Sequence, residues 1–253
     1  MIADRDVLTF RQGYYDLFVS LFWREPAGAL LAALAGGIRE RVEGARRLHP
    51  LLGEGWEDIG EFLKEVSPER LAETVADEFT RLFIGPRDPA VTLYESYYLT
   101  GRLLDRPLAI LRSFLEQIGL EKDQGYPEPE DFLAFELEVM RHLISRQASA
   151  QDPDESVRWL AHQATFLKEH LLVWGPAAAK DISEASGAFF YRGVARLLHG
   201  FLELERDLFK PLGPEHPKSL EEGRQSFSGV GGWKGPLLDF SAASGPVEES
   251  REA

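Results

Sequence analysis

Residues 125–140 read GYPEPEDFLAFELEVM. Two prolines alternate with acids, and apolar residues at helical spacing follow. Proline suits the first turn of a helix, where its missing N–H would have no partner anyway. Acids there face the positive end of the helix dipole. The stretch therefore predicts a helix entered at Pro129 and running to about Arg146, with Glu130 and Asp131 in its first turn. Set at about 100° per residue, Phe132, Leu133, Phe135, Leu137, Val139, Met140, Leu143 and Ile144 make one broad apolar arc. Glu130, Asp131, Glu138, Arg141 and His142 fall opposite, which leaves Asp131 available to a cationic partner or to simple compensation of the dipole. Glu136 falls inside the apolar arc. A carboxylate there needs hydrogen-bond partners or must be neutral.

The next apolar stripe supplies candidates. A helix from about Asp154 to Trp174, stopping at Gly175-Pro176, places Trp159, Leu160, Phe166, Leu167, Leu171 and Trp174 on one face. Gln163 and His170 point into the same face. The pattern predicts a buried polar network joining Glu136 to Gln163 or His170. It either fixes helix register or touches a ligand directly.

Outward from this pair, the punctuation stays helical. Asp4 caps a first helix through Trp23, and ALLAALA breaks at Gly36-Gly37 before a polar helix to Leu48. A turn-rich helix follows at 54–66. Ser67-Pro68-Glu69 starts another that stops at Gly85-Pro86. The stretch RDPAVTLYESYYLTG at 87–101 reads as loop plus short helix; Thr92 to Leu99 has a strand-like composition but no evident partner strand nearby. Asp105 caps a helix ended by Gly119, and Asp181 or Ser183 begins a long one ending near Pro211. Nothing alternates with period two for long. The expected fold is all-α: one helical-bundle domain of roughly ten helices over residues 1–210. Residues 211–253 are Gly/Ser/Pro-rich and acidic, and read as an irregular tail. In that region Phe227, Trp233, Leu237, Leu238 and Phe240 are candidates to dock on the body as a lid or strap.

The 253 residues hold no cysteine, which removes disulfides, thiolate metal sites and cysteine nucleophiles. A formal net charge of −14 disfavours nucleic acid and favours a basic partner, or simply keeps the protein soluble. The N-terminus lacks the pattern of a secretory signal, and AGALLAALAGGI at 27–38 is too short to span a membrane. A cytoplasmic protein without stable membrane insertion is expected. No phosphate loop, H-E-x-x-H pair or G-x-S-x-G elbow is present, and no histidine follows a glutamate at three residues. The expectation is a binding protein rather than an enzyme, with no catalytic residue, metal or cofactor.

Three stretches then resemble a known family. They are EFTRLFIGPRDPAVTLYESYY at 78–98, EPEDFLAFELEVM at 128–140, and QATFLKEHLLVWGP at 163–176 with FYRGVARLLHGFLELE downstream. The second is similar to a Glu-Pro-x-Asp-His-x-x-x-Glu-Leu-x-x-Met pattern. Together they resemble the TorD/DmsD family of molybdoenzyme-specific assembly chaperones, relatives of the NarJ group. One departure matters: Phe132 stands where the family has histidine, so only Asp131 of the Asp-His pair implicated in signal-peptide binding carries over.

The resemblance implies a cytosolic chaperone. It would bind an apo-molybdoenzyme catalytic subunit, often through its twin-arginine leader, and hold it until cofactor insertion. A twin-arginine leader sets cations beside an apolar stretch, so its receptor needs carboxylates beside a hydrophobic groove. Asp131, Phe132, Glu128, Pro129, Glu130, Phe83, Tyr94 and Tyr97 are the candidate peptide-binding residues, with Tyr94 and Tyr97 equally readable as packing residues. The competing readings are a nucleotide-binding or hydrolysing helical enzyme and a helical adaptor for another basic-apolar partner. Monomer and domain-swapped dimer both stay open.

Overall fold

The computed structural model describes residues 4–85, 88–212 and 218–228. Among these, every regular element is a helix. The first four helices are α1 (Arg5–Phe22), α2 (Gly28–Ala35), α3 (Ile38–Leu48) and α4 (Pro50–Glu65). Next come α5 (Pro68–Phe79), α6 (Glu95–Thr100), α7 (Arg106–Gln117) and α8 (Leu133–Ala148). The last are α9 (Pro153–Phe166), α10 (Leu172–Glu184), α11 (Phe190–Phe209) and α12 (Leu220–Ser228). The expected all-α fold is what the chain adopts.

The caps explain several boundaries. Asp4 accepts Asp6 N at 2.9 Å, Asp105 accepts Arg106 N at 2.7 Å and Asp152 accepts Glu155 N at 2.7 Å. Each satisfies an amide that the helix itself leaves without a partner. A different cap serves α11. Glu78, buried on α5, accepts Phe189 N, Phe190 N and Tyr191 N at 2.8–3.2 Å across more than a hundred residues.

At the centre, α11 packs between α4 and α10, while α1 lies along α8. The α4–α11 crossing is backbone on backbone: a Cβ on Gly55 would stand 2.7 Å from Gly193 O. Only glycine permits that approach. Across the core, Arg11 is buried and pairs with Glu205 through Nε at 2.6 Å and Nη2 at 2.7 Å. Tyr15 donates to the same carboxylate, and Arg11 reaches Gln163 at 2.8 Å. This set ties α1, α9 and α11 together in one register.

Five boundaries differ from the sequence reading, the first being that the turn-rich helix expected at 54–66 begins at Pro50, where His49 accepts Leu51 N. The helix expected from Pro129 begins at Leu133, because Phe132 takes extended backbone (φ −75°, ψ 137°) and pairs with Tyr94 in an antiparallel bridge. The helix expected to stop at Gly175-Pro176 runs on to Glu184. A π turn at Leu167–Leu171 has already broken the regular ladder just before Pro176, so the proline stands near the start of α10. Consequently α11 starts at Phe190 rather than near Ser183. Finally, α12 lies where an irregular tail is expected. Ser219 and Glu222 cap it reciprocally, the serine hydroxyl accepting Glu222 N and the carboxylate accepting Ser219 N. Trp233, Leu237, Leu238 and Phe240 lie outside the described residues.

Candidate functional site

Two segments singled out by their sequence meet at the bridge. Leu133 N donates to Leu93 O and Glu95 N to Asp131 O, both at 2.9 Å. Asp131 Oδ2 then accepts Ser96 N at 3.0 Å, closing the N-terminus of α6 from another part of the chain. Asp131 is fully buried. The expectation that it faces a cation in solvent is therefore corrected. That expectation used the phase of a helix that does not begin until two residues later. Asp131 Oδ1 and Ser96 Oγ are buried without a protein partner.

Beside the bridge lies an apolar groove of about 340 Å³. Phe79, Phe83 and Ile84 supply one wall, Leu93, Tyr94 and Phe132 the other, and Trp23 closes an end. The first wall depends on a π turn at Thr80–Ile84. Gly85 ends that turn at φ 65°, where a Cβ would meet Asp88 O at 2.2 Å. Ile84 stays 55% exposed at the lip. On the second wall, Tyr94 and Phe132 rings are centred 5.3 Å apart.

The charged rim is mostly acidic. Tyr94 donates its hydroxyl to Glu128 Oε2 at 2.6 Å, and burial with the nearby Glu128 raises the phenol pKa. Lys122 donates to the Glu128 backbone carbonyl at 2.7 Å. Glu25 accepts from Thr80 at 3.2 Å, and Arg24 shares that rim. The arrangement offers an apolar slot with a carboxylate at either side.

Of the eight candidate peptide-binding residues, Phe83, Tyr94, Glu128 and Phe132 line this groove. Pro129 shapes the turn before the bridge, its carbonyl accepting Phe132 N at 3.2 Å. Glu130 points elsewhere and pairs with Arg112 at 2.7 Å. Burial alone would raise its pKa, but the Arg112 hydrogen bond and charge hold it below the ordinary value. Tyr97 is 45% exposed beside a different cleft. Trp23, Glu25 and Phe79 were not singled out from sequence. The Phe79/Phe83 spacing and the Trp23-Arg24-Glu25 helix end were their only signals.

The three buried polar residues go to separate partners. Both Glu136 oxygens accept Trp174 Nε1 at 3.1 Å. His170 Nδ1 lies 3.1 Å from both Glu95 oxygens. Gln163 donates to Gln147 at 2.7 Å and accepts from Arg11. The expected direct link of Glu136 to Gln163 or His170 is thus corrected. His170 sits in a π turn, which changes its direction relative to a regular helix. Desolvation first, and repulsion from Glu95 second, raise the Glu136 pKa well above its ordinary value.

Among the described residues, no group of three or more His, Asp or Glu side chains is placed to hold a metal ion. No helix there is long and apolar enough to cross a membrane.

Residues 46–180 match the family model described as nitrate reductase delta subunit. That span runs from the end of α3 into α10 and includes the bridge and both groove walls. The chaperone protein TorD of Aeromonas salmonicida is 34% identical over 167 residues, 66% of this chain and 74% of its own. The chaperone protein TorD of Vibrio cholerae is 29% identical over 133 residues, 52% of this chain and 60% of its own. The Aliivibrio salmonicida protein of the same name is 32% identical over 130 residues, 51% of this chain and 60% of its own.

Proposed function

The chain belongs to the nitrate reductase delta subunit family and, within it, to the TorD-type chaperones, and from that premise we propose what it holds. It binds an immature molybdoenzyme catalytic subunit in the cytoplasm through a segment that sets cations beside apolar residues, as a twin-arginine leader does. It keeps that subunit available for cofactor insertion before export or assembly, and it catalyses no reaction of its own.

The groove beside the Tyr94–Phe132 bridge carries this reading. An apolar side chain of the client enters between Phe83 and Phe132. A neighbouring guanidinium meets Glu128 or Glu25. Charge-assisted pairs of this kind are stronger than neutral hydrogen bonds. A net charge of −14 draws a basic segment in from a distance, an attraction that salt weakens. Phe132, in place of the family histidine, leaves no imidazole on this wall to titrate near neutrality.

Titration calorimetry of the full chain with a synthetic twin-arginine leader tests the reading. One-to-one binding that weakens with salt is expected. Phe83→Ala should weaken it at least tenfold, or about 1.4 kcal/mol, with helix content unchanged. Equal affinity for the leader in wild type and in both Phe83→Ala and Phe132→Ala would remove the groove from the binding site.

A further inference from the structure

The closed end of the groove is built from stacked rings. Trp23 follows α1 directly, its amide donating to Val19 O at 2.9 Å. Its indole stacks on Tyr126, with 3.9 Å between ring centres and 17° between planes. Tyr126 in turn lies 6.3 Å from the Phe135 ring of α8, at 21°. Three nearly parallel rings thus run from the groove into the core. Trp23 is the one of them that lines the groove, so with Tyr126 on one face it turns the other face to the slot.

Charge gathers at the same end. Glu25 and Glu128 line the groove together with Trp23. Burial first, and the charge of the nearby Glu128 second, raise the Tyr126 pKa, which puts that carboxylate beside the ring column. The two cations a client can offer differ here. A guanidinium is planar, weakly hydrated and forked, so it lies flat on an aromatic face while its edge meets a carboxylate. An ammonium is a compact, strongly hydrated point charge with no flat face to stack. The chain makes the first kind of contact internally: Arg146 lies 4.7 Å from the Trp159 ring centre and Arg41 5.2 Å from that of Trp56. Arg24, which also lines the groove, repels both cations alike and confers no preference.

We propose that Trp23 is the residue by which the groove takes arginine in preference to lysine. A client guanidinium lies on the open indole face and turns its edge to Glu128 or Glu25, while the client's apolar side chain fills the slot between Phe83 and Phe132. Tyr126 and Phe135 hold the indole in place, so little freedom is lost when the guanidinium settles on it. The assignment rests on the groove being the leader site. It adds a selectivity that charge alone does not supply, because Arg-Arg and Lys-Lys leaders carry the same charge and are drawn equally by the net charge of −14.

The test is calorimetric titration of the full chain with two synthetic leaders that differ only in carrying Arg-Arg or Lys-Lys. Long-range attraction cancels in the ratio of their affinities. Wild type should favour the arginine leader by about tenfold. Trp23→Leu should bring that ratio to about twofold, and Trp23→Phe, which keeps a flat ring, should hold it near fivefold. A residue that merely shapes the groove would weaken both leaders together and leave the ratio where it was. An unchanged ratio in Trp23→Leu therefore overturns the proposal. So does equal binding of the two leaders by wild type while Phe83→Ala still weakens both, a result that leaves the groove as the leader site. Binding of neither leader overturns the groove reading and this inference together.

Discussion

Asp131 accepts the backbone amide of Ser96 at 3.0 Å and is wholly buried in doing so. The acid that sequence alone offers to a client's arginine is instead the clasp between α6 and the segment entering α8. The same clasp holds Tyr94 and Phe132 in register, so on the proposed function Asp131 would act on a client only through their geometry.

Asp131→Ala should cost about 1–3 kcal/mol in urea unfolding, the loss from leaving Ser96 N without its partner. Asp131→Asn keeps an accepting oxygen and removes a negative charge that raises the pKa of both Glu95 and Glu136. Its cost should be under half that of alanine. Equal losses for the two variants would mean that the charge, not the cap, is what α6 requires.

Glu136 makes stability depend on pH in a direction that can be worked out. Burial raises its folded pKa above the ordinary 4.5, chiefly by desolvation and secondly through Glu95. Below that ordinary value both folded and unfolded chains hold the proton, and the group adds no pH dependence. As pH rises past it, the unfolded chain releases its proton first, and stability falls toward the folded pKa. Glu136→Gln keeps an oxygen for Trp174 and has no proton to lose. Its advantage over wild type should grow as pH rises above the ordinary value of 4.5. Urea midpoints across that series check it, and a difference that stays constant with pH would contradict it.

Glu78 gives the clearest stability prediction. It serves three amides at the start of α11, whose own N-cap residue, Phe189, has no side-chain acceptor to offer. Glu78→Ala should cost about 3 kcal/mol, since hydrogen bonds to a buried charge are worth more than neutral ones. Glu78→Gln should recover part of that. Native-state hydrogen exchange would locate the loss at residues 189–191.

Much of the helical body was legible because caps and breakers are local chemistry: Asp4, Asp105 and Gly119 each act on neighbours in sequence. Glu78 and Asp131 were not legible as caps, because the amides they serve lie far along the chain. The two π turns are likewise invisible to a regular period. Each changes the direction of the side chains it contains, which is why His170 meets Glu95 rather than Glu136. Phe83, Tyr94, Glu128 and Phe132 were found, since their motifs lie in the two bridged segments. Trp23 and Glu25 join them from the segment just past α1, which comes near only through tertiary packing.

At the groove rim, Tyr94 and Glu128 separate a role in charge from a role in packing. The phenol hydroxyl holds Glu128 at 2.6 Å, so a client guanidinium must compete with it. Tyr94→Phe keeps the ring against Phe132 and frees the carboxylate. Leader affinity should then rise, with a steeper dependence on salt. Glu128→Gln should lower affinity by about 1 kcal/mol, roughly fivefold, and flatten the salt dependence. Calorimetric titrations at two ionic strengths distinguish these outcomes. If both variants weakened binding equally with unchanged salt dependence, Glu128 would be acting only as the anchor of Tyr94, and the client's cation would have to be met at Glu25.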